Sequence, residues 1–171
     1  RGGLYAEFYA TFKDVLIPFL KPEVYGRSTL ENSSFIASSA HEDKNFHGQG
    51  FVARLSGSTA EFLHVWLLMN AGAKPFHWDN KCGLTLTFKP ALAGWLFSKE
   101  ERDILVTNRM QEQKSLHLPK NSYAFNFLSS TLVVYHNQSR RDTFGEKAPA
   151  VNEIVITYSG LDKPVHLTEA M

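Results

Sequence analysis

Hydrophobic positions along residues 5–20 recur at helical spacing. Phe8, Phe12, Val15, Leu16 and Phe19 share one face, and Pro22 stands just beyond. This pattern predicts a first helix. Residues 21–57 are rich in Ser, Gly, Asn and His, show little sustained period, and read either as a long functional loop system or as a segment whose packing partners are absent. A second helix is predicted over residues 58–71. Ser58, with Glu61 three positions later, forms a capping box, Ala71-Gly72 ends the run, and Pro75 prevents its resumption. Phe62, Leu63, Trp66, Leu67 and Met69 make this helix apolar on most sides, which implies further helices packed around it.

From residue 83 the period changes to two. Leu84-Thr85-Leu86-Thr87-Phe88 alternates cleanly, and residues 123–128 and 131–135 form a hairpin around Ser129-Ser130. Ile154 to Tyr158 is a further strand, ended by Ser159-Gly160. Residues 98–103 suggest a short helical turn, and the charged run 138–150 suggests an exposed loop. Helices followed by strands with polar turns place the chain in the α+β class, the strands forming an antiparallel sandwich. The expected division is a helical segment, 1–75, and a β domain, 76–171.

The 171 residues carry 43% hydrophobic and 20% charged side chains, which excludes a disordered chain. A net charge of +1 argues against a nucleic-acid partner. No apolar run approaches the length of a membrane span, so no membrane partner is expected. The single cysteine, Cys82, lies in a turn-like Asn80-Lys81-Cys82-Gly83 segment with no activating base beside it, and a reducing, cytoplasmic setting is expected. The 13 Phe, 6 Tyr and 3 Trp serve mainly a core, although aromatic faces also suit sugar rings.

The stretch Phe46-His47-Gly48-Gln49-Gly50-Phe51-Val52-Ala53-Arg54-Leu55-Ser56-Gly57-Ser58 carries the sharpest chemical signal. A small hydroxyl-rich turn opens a helix there. Free N–H groups and the positive end of the helix dipole favour an anion, and glycine lets that anion approach the backbone. His41 and His47 lie six apart in a loop without a carboxylate or thiol at metal-ligand spacing, so no metal is expected. Arg27 can pair with an anion, and Arg54 can brace the turn through Glu31 or Glu61.

This order of segments resembles the C-terminal part of inverting glycoside phosphorylases, the family of cellobiose phosphorylase and β-1,3-oligoglucan phosphorylases. The resemblance spans about residues 20–97 and rests on "FHGQGFVARLSGSTAEF", the helix after it, and Ala-Gly-Ala-Lys-Pro-Phe. Residues 21–36 look closer to the β-1,3-glucan branch. The resemblance implies the last helices of an (α/α)6 barrel followed by a β-sandwich. It implies that Ser56, Gly57 and Ser58 contact phosphate, with Ser38, Ser39, His41, His47 and Arg27 as further substrate or phosphate contacts. A phosphate-contacting glutamine of the family falls here on Ala37-Ser38-Ser39, a departure that serine hydroxyls would have to make good.

The implied activity is cleavage of β-glucosidic bonds by inorganic phosphate, releasing glucose 1-phosphate without a cofactor. The family's general acid is an Asp upstream of the matching region. The chain is therefore expected to hold part of an active site, to need an upstream catalytic domain or partner chain, and to be inactive alone. The alternative is a stand-alone, non-catalytic carbohydrate-binding or interaction protein derived from such an enzyme.

Overall fold

The computed structural model describes residues 3–16, 22–26, 33–53, 57–107, 112–128, 130–157 and 163–168. It is a mixed structure of helices and antiparallel hairpins, and it divides into two compact units, Arg1–Ala91 and Leu92–Met171. The change of period at residue 83 falls inside the first unit, and the chain divides at 91/92. The hairpin after the second long helix belongs with the helices.

In the first unit, α1 spans Tyr5–Leu16. Glu7 in its first turn and Lys13 in its last complement the helix dipole. Phe8, Tyr9 and Phe12 form a ring cluster with centroids 5.1–5.8 Å apart. Tyr9 is buried, and its hydroxyl donates to the Ala91 carbonyl, tying the helix to the end of the unit. The expected helical residues 17–20 lie outside the described residues. A single turn, α2, covers Pro22–Tyr25.

Among the described residues of 21–57, the expected irregular loop contains a strand pair. Strands β1 (Ser33–Ile36) and β2 (Gly50–Ala53) pair antiparallel, with Ser33 opposite Ala53 and Phe35 opposite Phe51. Each strand is only four residues long, too short for alternation to stand out from a polar background.

Helix α3 spans Gly57–Asn70. It begins one residue earlier than expected, which sets Ser58 inside the first turn; the side-chain geometry of the expected capping box lies outside the described residues. Leu63 is exposed, residues 65–68 are half-buried, and Met69 and Asn70 are buried. Gly72, at φ +92°, ends the helix in the left-handed region, and its N–H donates to the Leu68 carbonyl. The chain then returns alongside: Ala91 N–H donates to Met69 O at 2.8 Å, and Lys89 N–H to Ala71 O at 3.1 Å. Between these segments β3 (Phe76–Asp79) pairs with β4 (Gly83–Leu86) across a turn that contains Cys82, as expected for that segment.

The second unit holds β5 (Arg102–Thr107) paired with β6 (Gln113–Leu118), β7 (Ser122–Phe127) with β8 (Thr131–His136), and β9 (Glu153–Ile156) with β10 (Val165–Thr168). The β7–β8 hairpin matches the sequence reading, and β9 overlaps the strand expected at 154–158. Residues 98–103 do not form a helical turn. The 3-10 turn lies earlier, at Gly94–Leu96, and Arg102 already opens β5. Residues 99 and 100 form a bend, and Arg102 pairs with Leu118 across the sheet. Strands β3, β6 and β10 had no counterpart in the sequence reading.

Among the described residues, Leu92, Ala93, Phe97, Leu118, Phe125 and Phe127 are the buried apolar residues of this unit. In β5–β6 one face carries Ile104, Val106, Leu116 and Leu118, half-buried or buried, while Asp103, Leu105, Ser115 and His117 lie exposed on the other. Among the described residues the five hairpins stand as separate two-stranded sheets, without a closed barrel or sandwich.

Candidate functional site

Helix α3 is the element that follows β2, with residues 54–56 between Ala53 and Gly57. The first N–H groups of α3 therefore belong to Gly57, Ser58 and Thr59. These amides have no partner earlier in the helix and suit an anion. Ser56, Arg27 and Arg54, all read as site or bracing residues, lie outside the described residues.

The remaining candidates sit together in the β1–β2 connection. Gly48 N–H donates to Ala37 O (2.8 Å), and Ala37 N–H to Gln49 O (3.0 Å), closing the base of the loop. A 3-10 turn, Lys44–Phe46, is capped by Asp43, whose carboxylate accepts the Asn45 N–H at 2.9 Å. Ser38 Oγ accepts the Ala40 N–H at 3.2 Å, a local turn bond. His47 Nε2–H donates to the His41 carbonyl at 2.8 Å. Asp43 presents both its N–H and its C=O to His41 Nδ1, each at 3.1 Å. Either tautomer of His41 finds a partner there, and Nε2 is left for a further one.

His47 thus braces the loop, while His41 is the exposed imidazole. Ser38, Ser39, His41 and His47 are brought into one loop, but that loop lies at the far end of β2 from Gly57. Strand β2, four residues long, and residues 54–56 stand between them in the chain. Two regions are therefore present: an anion-suited helix start and a histidine-bearing loop.

A row of rings joins the loop to the strand. His41 meets Phe46 edge-on at 5.4 Å, and Phe46 meets Phe51 at 6.1 Å. Phe35 is the cross-strand partner of Phe51 and so shares its face. Phe35 is 65% exposed, Phe51 40% and Phe46 38%. Sequence reasoning missed this row because it depends on the unforeseen β1–β2 pairing.

Other pairs of polar groups read differently. Ser122 Oγ lies 2.8 Å from His136 Nδ1, as in a nucleophile–base pair, but Ser122 is fully buried and no substrate can reach it. Its N–H donates to Ser98 Oγ (3.2 Å), whose own hydroxyl donates to the Pro119 carbonyl (3.2 Å), so the cluster knits three segments together. His117 lies 3.1 Å from Asp103 and 3.9 Å from Glu101, and His166 lies 2.7 Å from Glu153; all are exposed surface pairs. Backbone N–H groups of Cys82 and Lys81 hold the Asp79 carboxyl below its ordinary range. Burial, reinforced by Tyr123, pushes the Tyr135 hydroxyl well above the usual phenol range. Cys82 is exposed and free. Among the described residues no group of three metal-ligating side chains occurs, and no helix is long and apolar enough to cross a membrane.

No protein-family model, no curated protein and no solved structure matches this chain.

Proposed function

We propose that this chain is the C-terminal portion of an inverting glycoside phosphorylase acting on β-glucosides, β-1,3-glucan oligosaccharides in particular, with inorganic phosphate as co-substrate. On this reading α1 and α3 close an (α/α)6 barrel, and the later hairpins belong to an antiparallel sandwich. The observation that carries the proposal is the junction of β2 and α3. Helix α3 opens at Gly57, within the Ser56-Gly57-Ser58 sequence and with residues 54–56 between it and β2, and its first amides, those of Gly57, Ser58 and Thr59, have no partner earlier in the helix.

The chemistry follows from inversion. A carboxylic acid outside this chain protonates the glycosidic oxygen while phosphate attacks the anomeric carbon from the opposite face. Phosphate is already anionic and needs no base. It needs to be held in line, which helix-terminal N–H groups and serine hydroxyls do.

The test is phosphorolysis of laminari-oligosaccharides by the intact protein that carries this segment, with glucose 1-phosphate as the readout. Ser56→Ala is expected to raise the apparent KM for phosphate about tenfold, the equivalent of one lost charge-assisted hydrogen bond. No glucose 1-phosphate from the intact protein would overturn the proposal. Oligosaccharide binding without phosphorolysis would leave the non-catalytic carbohydrate-binding reading in its place.

A further inference from the structure

We draw no further inference here: the strongest candidate, the exposed apolar face that Phe76, Trp78, Leu84 and Leu86 form on the β3–β4 hairpin, carries none because nothing in the structure shows what covers it.

Discussion

The Gly94 amide donates to Asp142 Oδ1 at 2.8 Å, across 48 residues of sequence. Beside it Leu92 N–H donates to Thr143 Oγ1 and Thr143 N–H to the Leu92 carbonyl, at 2.8 and 2.9 Å. Buried Asn137 shapes the same segment by donating to the Arg141 carbonyl at 2.7 Å. The charged run 138–150 is the exposed loop expected, and within it Asp142 and Thr143 are held against residues 92–94.

A side chain at position 94 should break this contact. A Cβ there would lie 1.9 Å from the Arg140 carbonyl oxygen, and that oxygen belongs to backbone that cannot swing aside. Gly94→Ala is expected to destabilise the second unit by about 3 kcal/mol, read as a lowered urea midpoint. A midpoint within experimental error of wild type would show that the segment moves away freely.

Ser122 should matter for stability and not for chemistry. Its buried hydroxyl, 2.8 Å from His136 Nδ1, bonds inside a knitted cluster, so Ser122→Ala is expected to cost about 1 kcal/mol of unfolding free energy. Phosphorolysis by the intact protein should be unaffected by this change. Loss of activity in a folded Ser122→Ala protein would restore the dyad as a functional group.

The turn between β3 and β4 should weaken in acid. Asp79 accepts N–H bonds from Lys81 (2.8 Å) and Cys82 (2.9 Å), and these favour its ionised form. Its folded-state pKa is lowered from 3.8, so the contribution is fully present above about pH 4 and is lost as pH falls through the lowered value. Amide exchange at Lys81 and Cys82 is expected to accelerate in that acid range in wild type. Asp79→Ala should show the fast exchange already at neutral pH. Equal protection in both proteins would sink the assignment.

How much was legible follows from the range of each interaction. Helices α1 and α3 were readable because their ring and aliphatic positions repeat every three or four residues within one segment. The β7–β8 hairpin was readable because its strands are six residues each and its turn is small and polar. The β1–β2 hairpin was not, since Ile36 meets Gly50 only after a polar loop with no period of its own. The same is true of the site: the Ser56-Gly57-Ser58 signal is local, while the row Phe35–Phe51–Phe46–His41 exists only once the strands pair.

By itself, then, the sequence determined the elements whose hydrophobic period and turn residues lie within one stretch, together with the anion-suited opening of α3. Tertiary structure decided what depends on closing a loop: the pairing that aligns the rings of the β1–β2 face, the return of residues 87–91 along α3, and the clamp of Asp142 and Thr143 on residues 92–94. Contacts some fifty residues apart leave no periodic trace, because each partner is chosen by the shape and hydrogen-bonding needs of the other.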